Sequence, residues 1–304
     1  MPRVTVVIPA HNAAEFLGET LQAALASTFS DLAVIVVDDG SSDDTAAIAA
    51  RCGPRVRVLS QRNAGAAAAR NTGIAAADSE FIALLDSDDI WHPEKLRLQV
   101  ASLDASATHA FSYTEFRSWS GGDWSAFAAE PRTGRIEPSL SGWIYHQFLL
   151  TKWAMTSSIV LRRCAWEKTG PFDCDAYQTE DWDYVIRASR WFQFIKLAEP
   201  LVLYRRHPAS LSQRLPLTNT PELLRDAAIA RYGTRSPDGT EVDFDELGRR
   251  RYDGWRNFAA AHCTHGELAI GLRGFARLLR AGPQRRRSLE TLLKSLARRL
   301  VTKR

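Results

Sequence analysis

Short apolar runs alternate with helix-like segments through the first hundred residues of the chain. The runs are VTVVI at 4–8, LAVIVV at 32–37, VRVL at 56–59 and FIALL at 81–85. Nearly continuous apolar runs rich in β-branched residues are typical of strands that are covered on both faces. Because a segment with helical spacing separates each run from the next, the pattern predicts an α/β fold with a parallel sheet and right-handed crossovers.

Local signals indicate where the first helices begin. Asn12, followed by Glu15, has the spacing of a capping box, so a helix is predicted from Asn12 with Leu17 and Leu21 on its apolar face. Ser41, with an acid three residues later, predicts the start of a second helix. The alanine-rich stretch AGAAAARNTGIAAA at 64–77 predicts a third.

The alternation weakens after residue 100. SSIVLRR at 157–163 predicts a strand and EDWDYVIRASRWF at 180–192 a helix, and the chain from about residue 215 is helical with a break at TRSPDGT. This change predicts one domain at 1–214 and a helical C-terminal extension at 215–304. We interpret the scattered tryptophans as cover for one face of a mixed sheet, the alternative being that one or two stack on a sugar ring; they are Trp119, Trp124, Trp143 and Trp153.

Composition excludes several classes of protein, and charge divides the chain. The four cysteines form no CxxC pair, which argues against a disulfide framework and a zinc ribbon. No apolar run approaches the ~18 residues that cross a bilayer, and the first run is too short for a signal peptide, so a cytoplasmic location is expected. Residues 268–304 carry eleven Lys and Arg against one acid, whereas residues 1–267 carry 28 basic and 34 acidic residues.

Polar clusters follow three of the predicted strands: PAHN, DDGSSDD and DSDD. Ligands of such sheets bind beyond the carboxyl ends of the strands. In DSDD, three carboxylates stand together with no Lys or Arg in the cluster, and their repulsion has to be compensated unless the loop is a solvated turn. We expect Asp89 to cap the following helix, and Asp86 and Asp88 to reach a Mg²⁺ or Mn²⁺ ion and the ribose of a nucleotide diphosphate.

Two further residues suit a nucleotide. Asp39, at the end of the second strand, can accept hydrogen bonds from a base or ribose, and Arg70 supplies a cation that can approach phosphates. The chain contains neither GxGxxG nor GxxxxGK[ST], which argues against a dinucleotide dehydrogenase and a P-loop NTPase.

Five motifs in order, VTVVIPAHN, VVDDGSSDDT, NAGAAAARNTG, LLDSDDIWHPEKL and EDWDYVIRA, resemble those of the inverting family 2 glycosyltransferases with the A-type nucleotide-sugar fold. The resemblance covers residues 3–212. It implies a Rossmann-like nucleotide-sugar-binding part at 1–100 and an acceptor-binding part with a mixed sheet at 101–214. The positions that it implies for the nucleotide sugar are Pro9, Ala10, Asn12, Asp39, Arg70, Asp86 and Ser87, and those for the metal are Asp88, Asp86 and His207.

The resemblance also implies a mechanism. It places the catalytic base at Asp181, with Glu180 beside it. Asp181 would take the proton from an acceptor hydroxyl, which attacks the anomeric carbon opposite the nucleotide diphosphate and inverts its configuration. A UDP-sugar is the favoured donor because Asp39 suits uracil, with GDP and dTDP sugars as alternatives. For His207, a surface histidine before a proline is an equally good interpretation.

One departure from the family concerns processivity. Processive members carry QxxRW and transmembrane helices, whereas RASRW at 187–191 lacks the Gln and lies on the helix of the ED motif. The sequence therefore predicts a non-processive enzyme that adds one sugar, with Trp191 in the core. The rival functions are a sugar nucleotidyltransferase, which would usually have a Gly-rich phosphate loop after the first strand, and a non-catalytic nucleotide- or glycan-binding module, which would not need a base.

The C-terminal tail predicts a basic amphipathic helix, with its leucines at helical spacing and most basic residues off the stripe. It either lies on an anionic membrane surface, peripheral at the inner face, or packs on the catalytic domain. A membrane location favours a glycan or lipid-linked acceptor in cell-envelope synthesis. Nucleic acid is not an expected partner because the body is acidic. The leucines are Leu289, Leu292, Leu293, Leu296 and Leu300.

Overall fold

The computed structural model describes residues 1–151, 154–176, 178–208, 210, 214–281 and 284–302. The chain divides into two compact units. The first contains residues 1–148, 152–207 and 236–238, and the second contains 149–151, 208–235 and 239–304. The main division between the two units falls between residues 207 and 208, shortly before the predicted domain boundary at 214.

The first unit is built on one continuous sheet with the strand order β3-β2-β1-β4-β7-β6-β8-β5. Its strands are β1 Val4–Ala10, β2 Leu32–Asp38, β3 Val56–Ser60, β4 Phe81–Leu84, β5 Ile90–Trp91, β6 His109–Trp119, β7 Val160–Arg162 and β8 Gln193–Arg205. The first four strands in this order pair in parallel, β7 is antiparallel to its two neighbours, and β5 is antiparallel to β8. The predicted parallel sheet with a mixed part beyond it is confirmed.

Helices cover this sheet and make up the second unit. They are α1 Leu17–Leu25, α2 Thr45–Ala50, α3 Ala66–Ala75, α4 Lys95–Asp104, α5 Ser125–Ala129, α6 Tyr145–Leu150, α7 Arg163–Thr169, α8 Glu180–Ala188, α9 Thr220–Tyr232, α10 Phe244–Thr264, α11 Leu268–Ala281 and α12 Arg285–Thr302. The strand-helix alternation of the first hundred residues and the helical chain after 215 are therefore as predicted.

Two predicted helix starts are wrong. The first helix begins at Leu17 instead of Asn12, and the second at Thr45 instead of Ser41. Asn12 has a positive φ of 49°. Its N–H donates to Ser41 Oγ, and its side-chain oxygen accepts from the N–H of Ser42. These polar residues cross-link the loops after β1 and β2 and are not available to cap their own helices.

Small residues let α3 approach the centre of the sheet. Strand β1 is buried along its whole length because β2 and β4 flank it and helices cover it. A Cβ atom at Gly73 of α3 would lie 2.5 Å from Val7 Cγ1 and 3.1 Å from Val37 Cγ2. The alanine-rich composition of α3 thus serves close packing on β1 and β2, which brings Arg70 to the carboxyl edge of the sheet.

The second unit has its own core between α10, α11 and α12. Tyr252, Cys263 and Phe275 are buried there, and Leu292 and Leu296 of α12 pack against them. Helix α10 begins at the cap residue Asp243, whose carboxylate accepts from the N–H of Glu246 at 2.9 Å. In the described part of the chain, no helix is long and apolar enough to cross a membrane.

Helix α12 divides the predicted leucine stripe between two environments. Leu292 and Leu296 lie in the core of the second unit, and Arg299 Nη1 donates to the carbonyl oxygens of His262 and Gly266 at the end of α10. The other three leucines are 48%, 59% and 73% exposed; they are Leu289, Leu293 and Leu300. The helix therefore packs along one edge, onto α10 and α11, and leaves an apolar edge in solvent.

Candidate active site

The carboxyl ends of β1 and β2 form one side of the site. Pro9 and Ala10 are buried, and the Ala10 carbonyl accepts from the N–H of Asp39 at 2.8 Å. The carboxylate of Asp39 accepts from Gln61 Nε2 at 2.7 Å and from the N–H groups of Ala64 and Gly65 at 2.9 and 2.8 Å. Asp39 therefore fixes the loop that leads into α3.

Arg70 joins the DSDD loop to the ED motif. It is only 4% exposed. Its Nη2 donates to Asp86 Oδ1 at 2.7 Å and its Nη1 to Glu180 Oε1 at 3.0 Å. Burial alone would lower the pKa of Arg70, but the carboxylates of Asp86 and Glu180 outweigh burial and raise it. The positive charge that compensates the DSDD cluster thus comes from α3.

Asp89 does not cap a helix, contrary to the prediction. Helix α4 begins at Lys95, after Glu94. Asp89 is fully buried, where its Oδ2 accepts from Ser157 Oγ at 2.5 Å and its Oδ1 from the N–H of Arg205 at 3.0 Å. Burial and the negative charges of its two acidic neighbours raise the pKa of Asp89 well above its ordinary value. Through these two hydrogen bonds, Asp89 links the DSDD loop to Ser157 and to the end of β8.

Asp88 faces His207. Its Oδ2 lies 3.0 Å from His207 Nε2, and its main-chain carbonyl accepts from Arg205 Nε at 2.7 Å. Burial, with the charge of Asp86, raises the pKa of Asp88, and the contact with His207 partly opposes that rise. The neighbouring Ser87 is half-buried, and its carbonyl accepts from Thr20 Oγ1 at 3.1 Å.

The residues present suit a divalent cation that brings further ligands. Among the described residues, no group of three or more His, Cys, Asp or Glu side chains could hold a metal alone. Asp88 and His207 supply one oxygen and one nitrogen, and both side chains are partly exposed. Mg²⁺ and Mn²⁺ bind through few protein ligands and complete their shell with water and substrate phosphates. Asp86, the other predicted ligand, has Oδ1 on Arg70.

The two acids of the ED motif bind different partners at the start of α8. Asp181 is 6% exposed, and its carboxylate accepts from Thr156 Oγ1 at 3.1 Å and from the N–H of Trp182 at 2.8 Å. Glu180 binds the guanidinium of Arg70. Adjacent helical residues point about 100° apart. The Thr156 hydroxyl and the Trp182 N–H thus orient Asp181, whereas Glu180 is held in an ion pair.

Sequence reasoning missed the residues that hold this site together from a distance. Arg205 lies two residues before His207 in YRRHPASLS at 204–212, of which 209, 211 and 212 lie outside the described residues. Thr156 and Ser157 form a short 3₁₀ turn that supplies hydroxyl donors to both acidic motifs. The sequence has no periodic or motif signal for either.

A family model and curated relatives match this chain. Residues 5–153 match the model described as glycosyl transferase family 2. An uncharacterised glycosyltransferase of Rickettsia prowazekii is 26% identical over 220 residues, which is 72% of this chain and 66% of that protein. A chondroitin synthase of Escherichia coli is 29% identical over 200 residues, which is 62% of this chain and 27% of that protein. This chain thus spans just under two thirds of the first relative and about a quarter of the second.

Solved structures share the fold. A mannosyltransferase of Pyrobaculum calidifontis, PcManGT, in complex with GDP-Man and Mn²⁺, superposes with a TM-score of 0.64 at 20% identity, covering 100% of this chain and 88% of that one. Residues 1–349 of TarS from S. aureus, in complex with UDP-GlcNAc, superpose with a TM-score of 0.59 at 15% identity, covering 99% and 91%. The architecture is therefore the A-type glycosyltransferase fold.

Proposed function

We propose that this chain, which contains a glycosyl transferase family 2 domain, moves one sugar from a nucleotide diphosphate sugar to an acceptor hydroxyl with inversion. The observation that carries the proposal is the double ion pair of Arg70. Asp86 and Glu180 are far apart in the chain, yet one guanidinium holds both. The donor motif and the motif of the base therefore lie at one edge of the sheet, as a single displacement requires.

The nucleotide end of the donor would lie against Pro9, Ala10, Asn12 and Asp39. A carboxylate offers about four acceptor positions, and that of Asp39 uses three of them for Gln61 and the loop before α3. One position remains for an N–H of the base or a ribose hydroxyl. UDP is our favoured nucleotide, in keeping with the UDP-GlcNAc of TarS, and the GDP-Man of PcManGT makes a GDP-sugar the alternative.

Asp88 and His207 would hold Mg²⁺ or Mn²⁺ beside the diphosphate. When bound, such an ion neutralises charge on the departing diphosphate. Ser87 and Asp86 would line the ribose and sugar side of the same loop. Arg70 holds Asp86 and Glu180 in place, and its positive charge at the edge also favours the anionic leaving group.

Asp181 would act as the base. Thr156 and the N–H of Trp182 orient its carboxylate, whereas the carboxylate of Glu180 is held on the guanidinium of Arg70. An acceptor hydroxyl within hydrogen-bond reach would transfer its proton to Asp181 as its oxygen attacks the anomeric carbon. Glu180 would stay on Arg70.

A panel of nucleotide sugars tests the donor half of this proposal. We expect one donor to be hydrolysed slowly in the presence of Mn²⁺ and to be consumed faster with a suitable acceptor, and product analysis should give the inverted anomer. Thermal-shift titration with UDP and GDP, each with Mn²⁺, identifies the nucleotide. Binding of neither nucleotide, together with no donor turnover, would contradict the assignment.

The C-terminal helix supports a peripheral membrane location and a lipid-linked or cell-envelope acceptor. The exposed edge of α12 carries Leu289, Leu293 and Leu300, and residues 268–304 carry a net charge of +10. An apolar edge with basic neighbours binds anionic lipid surfaces, with roughly 1 kcal/mol for each basic residue near the surface.

Vesicle co-sedimentation tests that location. We expect binding to anionic vesicles that falls with salt, and little binding to neutral ones. Replacing the three exposed leucines with serine should abolish it without unfolding the second unit, since Leu292 and Leu296 supply the core contacts. Matched binding of the triple variant and the original chain would rule out this surface.

A further inference from the structure

We infer that Arg205 is a positioning residue that holds Asp88 and His207 in register for a divalent cation. Its Nε donates to the carbonyl of Asp88 at 2.7 Å, and its own N–H donates to Asp89 Oδ1 at 3.0 Å. One residue at the end of β8 therefore binds the DSDD loop at two successive residues, Asp88 and Asp89. His207, two residues further on, follows the same strand end and reaches Asp88 Oδ2.

The guanidinium of Arg205 is itself fixed from three directions. Its Nη2 donates to Glu19 Oε2 of α1 at 2.6 Å. Its carbon Cζ lies 5.0 Å from the ring centroid of Phe16 and 4.3 Å from that of Trp119. Cations favour aromatic faces at these distances, and arginine combines such stacking with several directed donors.

Phe16 couples the arginine to the histidine. The same ring that faces Arg205 lies 4.4 Å, centroid to centroid, from the imidazole of His207. Rotation of either side chain would disturb the contact of the other with this ring. One packed arrangement thus surrounds the Asp88 carboxylate. It consists of the Asp88 carbonyl, the Arg205 guanidinium, the Phe16 ring and the His207 imidazole.

This arrangement has a consequence for metal affinity. Two protein ligands bind a cation well only when they are held at the right separation before the ion arrives. Residues that orient ligands from outside the coordination shell typically change metal affinity by about 10–100-fold when they are replaced. Loss of the Arg205 side chain would free the Asp88 carbonyl and remove the guanidinium from the ring of Phe16, so that Asp88 and His207 could shift relative to each other, while the main-chain bond to Asp89 would remain.

Mn²⁺ binding measures this directly and does not depend on turnover. The free Mn²⁺ signal in electron paramagnetic resonance would be titrated with the full-length protein, with an excess of UDP or of GDP. We expect Arg205→Met to raise the Mn²⁺ Kd about 10-fold or more. Arg162→Met is the matched control, because Arg162 also binds main-chain carbonyls and a carboxylate and lies 5.1 Å from a phenyl ring, at the other end of β4. It should lower thermal stability and leave the Mn²⁺ Kd unchanged.

Glu19→Gln provides a second variant should Arg205→Met fail to fold. The Glu19 side chain is 45% exposed, so its replacement spares the core while weakening the anchor of Arg205, and we expect a several-fold rise in the Mn²⁺ Kd. An unchanged Kd in Arg205→Met, or in Glu19→Gln where the first variant is unfolded, overturns the inference. An equal rise of the Mn²⁺ Kd in Arg162→Met would also overturn the inference, because the effect would then come from a general loss of stability. Because the inference rests on the proposed metal site, failure of the unaltered protein to bind Mn²⁺ with either nucleotide would instead reject the metal part of that proposed function.

Discussion

Replacing Arg70 with methionine should destabilise the protein and disconnect the two acidic motifs. Methionine has a similar length and no charge, so the variant keeps most of the packing of this α3 side chain and removes both ion pairs. Asp86 and Glu180 would then lie close together without the cation that now separates them.

The size of the effect follows from the burial of the three side chains. Removing one partner of a buried ion pair costs about 3–5 kcal/mol, because the other charge stays in a poorly solvated site. Here the arginine is almost fully buried, whereas the two carboxylates keep some exposure, so we take the lower end, about 3 kcal/mol. For a domain of this size, the loss corresponds to a drop in Tm of roughly 6–12 °C.

Calorimetry on four chains would measure this coupling: the original, Arg70→Met, Glu180→Gln and the double variant. We expect Glu180→Gln to recover part of the loss of Arg70→Met, with a coupling energy of about 0.5–3 kcal/mol. Arg70→Lys is the control, since an ammonium keeps the charge but lacks the planar fork that serves two carboxylates at once. A loss below about 1 kcal/mol in Arg70→Met, or strict additivity in the cycle, would refute the reasoning.

Three further experiments examine the base, the metal site and a buried lysine outside the site. In initial-rate assays, Asp181→Asn should lower the transfer rate by about 10²–10⁴-fold with donor affinity nearly unchanged. If Asp181→Asn transfers sugar at a near-normal rate and Glu180→Gln is inactive, the base is Glu180. EDTA should abolish nucleotide diphosphate binding in calorimetry, and Asp88→Asn should weaken it while the melting curve stays close to that of the original chain; full binding in EDTA would reject a metal site. Burial lowers the pKa of Lys95 well below its ordinary 10.5, and its amine has no hydrogen-bond partner among the described residues. Between the pKa of Lys95 in the folded chain and that in the unfolded chain, only the unfolded chain holds the proton, so the free energy of unfolding should rise with pH across that range. Urea unfolding at pH 7 and pH 10 measures this rise, which Lys95→Met should remove. An unchanged pH dependence in the variant would show that Lys95 is solvated.

The fold was predictable from sequence where the signal is local, and the site was predictable only in part. Runs such as VTVVI and LAVIVV specify buried strands through a few consecutive residues, and the structure has them as β1 and β2. The DSDD loop is bound by Arg70 through an ion pair with Asp86 and by Arg205 through the Asp88 carbonyl, and these arginines lie 16 and more than a hundred residues away in the chain. Contacts between residues so distant in the chain have no periodicity for a sequence pattern to reveal.

Trp191 shows the limit of periodicity at a helix end. A core position was predicted by extending the helix of the ED motif through RASRW. Helix α8 ends at Ala188, so Trp191 lies beyond the face that the helix buries. It is 56% exposed, with Lys168 Nζ 4.5 Å from its ring centroid. A helix boundary that is wrong by a few residues is enough to reverse the inferred environment of a side chain.

The close contact between Gly73 and strand β1 bears on attempts to make this protein more robust. Replacing a helical glycine with alanine is a common thermostabilising substitution, worth about 0.4–1 kcal/mol where the site has room. At this position the added methyl group would meet Val7 and Val37, and relief would require α3 to move away from the sheet. Arg70 lies one turn earlier on that helix and would move with it. A library that scores variants by heat resistance alone would therefore do well to keep Gly73 fixed, because substitutions there would alter the spacing of the two acidic motifs.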